Sequence, residues 1–179
     1  RSKPAPEAHA NRLIATLPRR SQSRLLAGCE QVDLRFAVVL CDQGEPMQHV
    51  YFPLDSVISL VTTLADGARL EVGIIGNEGM LGTSIVLGVD VSAQRAVVQG
   101  SGSALRMSAA AFRRRCKQDV DLRELINRYV HVLMAQLSQT AACTLYHPVD
   151  RRLARWLLMT RQRVGGDRFH LTHEFLAYM

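Results

Sequence analysis

The sequence predicts an α+β chain in which short helices lead into a closed antiparallel β-sandwich or barrel and a long helix leads out of it. Three observations carry this reading. Between residues 31 and 107, apolar positions recur with a period near two and are interrupted by Gly, Pro, Asn and Asp. Between residues 108 and 160 the period lengthens to that of a helix. With 47% hydrophobic and 21% charged residues, the 179-residue chain has the apolar surface to build a core.

In chain order, residues 9–28 read as helix broken once, with Leu13, Ile14 and Leu17 before Pro18 and Leu25 and Leu26 before Gly28. Val32, Leu34 and Phe36 alternate with polar neighbours, as in a half-buried strand. Gln43-Gly44-Glu45-Pro46 is a turn, and His49-Val50-Tyr51-Phe52 is a strand stopped by Pro53. Ser56 to Leu64 and Ala68 to Ile75 form a hairpin around Ala65-Asp66-Gly67, where Gly supplies the positive φ of a tight turn. After the turn Gly76-Asn77-Glu78-Gly79, short strands follow at Arg95 to Gln99 and Ser103 to Met107. Ser108 is suited to N-cap a helix beginning at Ala109.

A long helix is expected from about Val120 to about Leu145. Leu122, Ile126, Tyr129, Leu133, Gln136, Thr140 and Cys143 repeat on it with heptad spacing. A second stripe runs through Val130, Met134, Leu137, Ala141 and Leu145. Either the two stripes form one wide core face, or two apolar faces need two packing partners, the sandwich supplying one and a second copy of the chain, the expected reading, the other. His147-Pro148 ends the helix. Another follows with Arg151, Arg152 and Arg155 among Leu153, Trp156 and Leu157. After Gly165-Gly166-Asp167, Thr172 reads as the N-cap of a further helix opening at His173, a pattern that breaks off at Met179.

Composition narrows the function. Lys plus Arg number 22 against 16 Asp plus Glu, and all of the cations except Lys3 and Lys117 are arginine, the side chain that best grips phosphate or carboxylate. The excess lies in the helical half. Arg106 to Arg128 holds seven cations against three anions, and His147 to Met179 holds six against three. No apolar run reaches the roughly 18 residues of a membrane span, and no signal-peptide core follows Arg1-Ser2-Lys3-Pro4. Cys29, Cys41, Cys116 and Cys143 form no CxxC pair, so buried reduced thiols of a cytoplasmic protein are expected. No metal, haem or iron–sulfur cluster is expected either. His49 alone falls in the strand zone, and His170 and His173 straddle a helix start. With no catalytic triad, paired carboxylates or metal constellation in view, the chain reads as regulatory and not as an enzyme.

The order of parts resembles the Crp/Fnr family of bacterial transcription regulators, from about Asn11 to Met179. The likeness rests on Val50-Tyr51-Phe52-Pro53 with Gly73 to Gly82, on Thr140-Ala141-Ala142-Cys143, and on Arg151 to Leu158. It implies a double-stranded β-helix, or jelly roll, of the cyclic-nucleotide-binding type with N-terminal helices over 9–117. It further implies a dimerisation helix over 118–146 and the incomplete start of a winged helix-turn-helix over 147–179. The implied protein is a cytoplasmic homodimer that binds DNA through its complete C-terminal domain. The dimer contacts would be Leu122, Ile126, Tyr129, Leu133, Gln136 and Thr140, and the DNA-facing candidates Arg151, Arg152, Thr172 and His173. The alternative is a small-ligand or nucleotide sensor with no DNA output.

By the same resemblance, the effector would lie against Gly82, Thr83, Ser84, Gln94 and Arg95. Nucleotide-binding members carry a Gly-Glu pair whose carboxylate binds the ribose, and an Arg followed by Ser or Thr that holds the cyclic phosphate. Here Thr83 stands in place of the Glu, and Ala96 follows Arg95. A one-residue shift in the loop Gly88 to Ala93 would put Gln94 at the Arg position. Thr83 cannot make the charge-assisted bond of a carboxylate, so these departures speak against cyclic AMP and leave the effector's identity open.

Overall fold

The alternating segment folds as two antiparallel sheets in a computed structural model that describes residues 11–164. β1 (Glu30–Leu34), β7 (Gly102–Ser108) and β3 (His49–Pro53) form the first sheet in the order β1-β7-β3. β2 (Val39–Cys41), β6 (Arg95–Gly100), β4 (Val57–Thr63) and β5 (Arg69–Ile75) form the second in the order β2-β6-β4-β5. Their inner faces meet in one core, with Val50, Phe52 and Leu105 from the first sheet against Ile58, Ile75 and Val98 from the second. This is an antiparallel β-sandwich flanked by helices.

Most expected elements appear where the sequence puts them. α1 (Arg12–Ala15) and α2 (Arg19–Leu26) are separated at Pro18. The β4–β5 hairpin turns at Gly67, whose φ is +85°. Ser108 caps α3 (Ala109–Gln118) by accepting the Ala111 N–H. Two details differ. The strand Val39–Cys41 is too short to show a period in the sequence. Phe36 is 38% exposed and not in the core, because β1 ends at Leu34 and Ala37 adopts a φ of +63°. The chain therefore leaves the sheet before the alternation can turn Phe36 inward. Thr172 and His173, and with them the expected helix-turn-helix start, lie outside the described residues.

Two of the helices after the sandwich, α4 and α5, frame the site. α4 (Val120–Tyr146) has 27 residues, about 40 Å at 1.5 Å per residue. Asp119 starts it by accepting the Leu122 N–H and is itself held by the Ser21 hydroxyl at 3.0 Å, so α2 fixes where α4 begins. Leu122, Ile126 and Tyr129 are 1%, 0% and 7% exposed and belong to the sandwich core. These expected dimer contacts are thus consumed within the chain, because the face that carries them is the one the sandwich covers. After His147-Pro148, α5 (Val149–Val164) packs against β4 and β5.

Among the described residues, no helix is long and apolar enough to cross a membrane. The four cysteines are free, and burial pushes the thiols of Cys29 to about 12 and Cys116 to about 11.

Candidate functional site

A cavity of about 170 Å³ lies between the second sheet, α4 and α5. Thr83 and Gln94, two of the five candidate effector residues, line it. Gly82 shapes the approach. Its φ of +98° is a left-handed conformation, and a Cβ there would come within 2.8 Å of a Val50 methyl. The chain can then turn through the short 3-10 helix Thr83–Ile85 and present Thr83 to the cavity.

Gln94 and Arg95 part at the start of β6, where successive side chains point to opposite faces. Gln94 joins the cavity lining, whereas Arg95 pairs with Asp42 at 3.0 Å. Ser84 contributes backbone, its carbonyl accepting the Val89 N–H at 3.0 Å. The structure thus brings Thr83 and Gln94 together at the cavity. Arg95, the one cation of the expected set, is engaged elsewhere.

The structure also reveals a group of residues that sequence reasoning did not single out. Glu71 on β5 is 7% exposed and accepts hydrogen bonds from the Ser59 hydroxyl at 2.6 Å, from Gln99 at 3.3 Å and from the Trp156 indole N–H. Desolvation raises its pKa from 4.5 to about 7, while those donors and the Arg163 charge hold it from rising further.

Two turns of helix beyond Trp156, Arg163 is 4% exposed. Its guanidinium pairs with Glu78 at 2.9 Å and donates to the Ile74 carbonyl at 3.0 Å and the Gln136 side chain at 3.2 Å. Through Trp156 and Arg163, α5 is bolted to β5 and to the turn after it.

That turn, Gly76-Asn77-Glu78-Gly79, receives both long helices. A Cβ on Gly76 would overlap the Arg163 backbone on α5, and one on Gly79 would overlap the Tyr129 hydroxyl on α4. Both glycines are demanded by close approach and neither by backbone angle. Asn11 secures the same turn from the other side, donating to the Pro53 and Gly79 carbonyls at 2.8 and 3.0 Å. A lone Gly-Asn-Glu-Gly reads as a turn in sequence; its role as a double socket depends on partners far along the chain.

The remaining expected contacts divide between the two helices. Leu133, Gln136 and Thr140 are half-buried and line the cavity, so the lower part of the expected dimer stripe faces the α5 side. The neighbouring stripe stands clear, with Met134 at 62%, Leu137 at 42% and Leu145 at 75% exposure. On α5, Arg151 is exposed and Arg152 half-exposed, while Arg155 donates to the Thr140 hydroxyl at 3.2 Å. Among the described residues, no three His, Cys, Asp or Glu side chains converge as a metal site would require.

Comparison with known proteins agrees with this architecture. Residues 34–119 match the family model of the cyclic nucleotide-binding domain. That segment runs from the end of β1 through α3 and contains Gly82, Thr83, Ser84, Gln94 and Arg95. No curated protein sequence matches the chain.

Among solved structures, the c-di-GMP-responsive global regulator CLP of Xanthomonas campestris superposes with a TM-score of 0.70 at 13% identity, covering 90% of this chain and 84% of that one. FixK2 of Bradyrhizobium japonicum gives 0.64 at 14% identity, covering 75% and 67%. The regulatory subunit of a cAMP-independent protein kinase A from Trypanosoma brucei gives 0.54 at 14% identity, covering 68% and 47%. At these identities the likeness establishes the fold alone. The same fold occurs in proteins with different outputs.

Proposed function

We propose that the chain is the sensing and dimerising portion of a homodimeric transcription regulator of the Crp/Fnr type. In this reading the sandwich closes as a jelly roll, and the cavity against α4 and α5 receives the effector. Residues beyond α5 begin a winged helix-turn-helix that binds DNA.

The observation that carries it is the stripe Met134, Leu137, Ala141 and Leu145. It runs along α4 about 100° round the helix from the face that packs on the sandwich. An exposed apolar stripe of this length, on a helix that already has one buried face, calls for a partner of like shape, and two copies of α4 supply it. The likeness to CLP and FixK2 supports the DNA output, and the arginines Arg151 and Arg152 on α5 are suited to phosphate contact.

The mechanism is a population shift. α5 is attached to the sandwich by a few identifiable contacts, Trp156 with Glu71 and Arg163 with Glu78. Met159, between those anchors, lines the cavity. An effector that binds better when α5 is docked raises the docked population and so sets the placement of the DNA-binding segment beyond α5 in both protomers.

Sedimentation equilibrium tests the dimer: the chain should run at twice the monomer mass, and Leu137→Asp at the monomer mass, because it places an unpaired charge in the seam. Selection of bound sequences from a random DNA pool by the full gene product tests the output. A wild-type monomer at micromolar concentration, or a dimer that retains no DNA sequence, would refute the regulator reading. A dimer without DNA selection would favour a sensor that acts on another protein.

A further inference from the structure

We propose that the cavity between the sandwich, α4 and α5 takes a small uncharged molecule of about one aromatic ring, and that such a molecule, not a cyclic nucleotide, is the effector. The inference rests on the sensing role proposed for this cavity and names the ligand class of that site.

Charge is the first argument. Among the described residues, no charged side chain lines the cavity. Its walls are Leu60, Val72, Ile74, Val130, Leu133 and Leu137, with Met134 and Met159 at the edges of the two helices. The polar atoms come from Thr83, Gln94, Gln136 and Thr140, which are neutral amides and hydroxyls.

A cyclic phosphate placed here would lose water and gain no cation, which is strongly unfavourable. Arg95, Arg155 and Arg163 each already have a partner. Arg95 pairs with Asp42, and Arg163 pairs with Glu78 while donating to Ile74 and Gln136. Arg155 donates to Thr140 and, with Arg152, lines the neighbouring pocket around Trp156 and not the wall of this cavity.

Size is the second argument. At about 170 Å³ the cavity is close to the ~150 Å³ apolar cavity known to hold benzene, and a base, a sugar and a phosphate together exceed it. The polar atoms then set orientation. Thr83 and Gln94 sit on the sandwich side, whereas Gln136 is already engaged by Arg163 and Thr140 by Arg155. A neutral ring bearing one hydroxyl or amide would bury its ring against the aliphatic wall and direct its polar atom at Thr83 and Gln94.

Trp156 is the single tryptophan of the chain and lies on α5 in a neighbouring pocket that shares Val72, Gly73, Ile74, Thr140 and Met159 with this one. Its emission therefore reports occupancy. The experiment titrates the chain with benzyl alcohol, with benzoate, which adds charge to the same ring, and with cyclic AMP, following Trp156 emission and thermal unfolding.

Benzyl alcohol should give a saturable change and benzoate a binding at least about tenfold weaker, because its charge has no partner in the cavity. Cyclic AMP should give none. Gly73→Ala narrows the cavity without strain, since its Cβ would lie 3.7 Å from the nearest Leu60 atom, and should weaken benzyl alcohol several-fold while the fold persists. Val130→Phe should abolish binding, and Arg95→Ala should leave it unchanged.

Equal binding of benzoate, saturable cyclic AMP binding lost in Arg95→Ala, or no response to benzyl alcohol would each overturn the proposal. Sedimentation of the same samples separates the two readings. A dimer blind to benzyl alcohol refutes the ligand class alone, whereas a monomer that binds it refutes the regulator and leaves the site.

Discussion

The two halves of α4 carry the same kind of apolar repeat and meet opposite fates. From Leu122 to Tyr129 the repeat is sealed into the sandwich, with Ile126 at 0% exposure. From Met134 to Tyr146 apolar side chains stand in the open, with Leu145 at 75% and Tyr146 at 78%. The helix does not change between them. What changes is the face on view: Met134, Leu145 and Tyr146 lie off the heptad stripe, whose own continuation through Leu133, Gln136, Thr140 and Cys143 stays half-buried or buried beside β5 and α5. A hydrophobic period announces that a face will be covered but does not name the cover. Reading the whole repeat as one seam assigned to a partner what the sandwich itself buries.

The sharpest way to break this comparison is to truncate one residue from each half. Ile126→Ala leaves a cavity in a packed core and should lower stability to urea by about 2–5 kcal/mol. Leu137→Ala should cost clearly less, about 1 kcal/mol at most, when measured dilute enough to populate monomer, because Leu137 is 42% exposed at the edge of the cavity where Ile126 is fully buried. The same substitution should weaken self-association, seen by sedimentation over a concentration series. Equal losses of monomer stability at the two positions would erase the distinction between the halves.

A second substitution asks what holds the buried half in place. Tyr129 reaches into the space left by the missing side chain of Gly79, and burial pushes its phenol well above the ordinary range. Gly79→Ala should destabilise by about 1–3 kcal/mol through overpacking. Combined with Tyr129→Phe, which removes the atom nearest the new methyl, the loss should be smaller than the sum of the separate losses. Strict additivity in denaturant titrations would show that the turn and α4 do not bear on each other.

Much of the framework was legible because it is local. Pro18 between two helices, Gly67 in a hairpin, Ser108 as a cap and Pro148 after the long helix each act through neighbours a few residues away. Thr83 and Gln94 were within reach once the family resemblance set the frame, and strand alternation decided between Gln94 and Arg95. Glu71 was not legible. Set between Leu70 and Val72 in a strand, it reads as the solvent-facing member of an alternation, yet it is buried. Its cover is Trp156, 85 residues away, on a helix whose folding back no local signal announces. Arg163 looked like one more surface arginine for the same reason, its partners Glu78 and Ile74 lying on a distant turn and strand.

The smallest expected effect extends the comparison to α5, which unlike either half of α4 is held mainly by polar anchors. Glu71 titrates near pH 7 in the fold and near 4.5 without it, so between those values the folded chain binds the extra proton. Stability from this group is therefore fully present below about pH 4.5 and is lost as pH rises through about 7, beyond which it levels off. Other carboxylates slope the other way in acid, so the quantity to read is the difference between wild type and Glu71→Gln. Glutamine can present its one oxygen to the Trp156 N–H and its amide to the Ser59 hydroxyl, which can accept, but it cannot ionise. The wild type should lose thermal stability relative to Glu71→Gln between about pH 5 and about 7, with a parallel shift in Trp156 emission as α5 loosens. If the two proteins keep a constant gap across that range, Glu71 is not the proton-sensitive anchor of α5. If the gap moves but Trp156 emission does not, the proton is felt by the sheet and not by the helix.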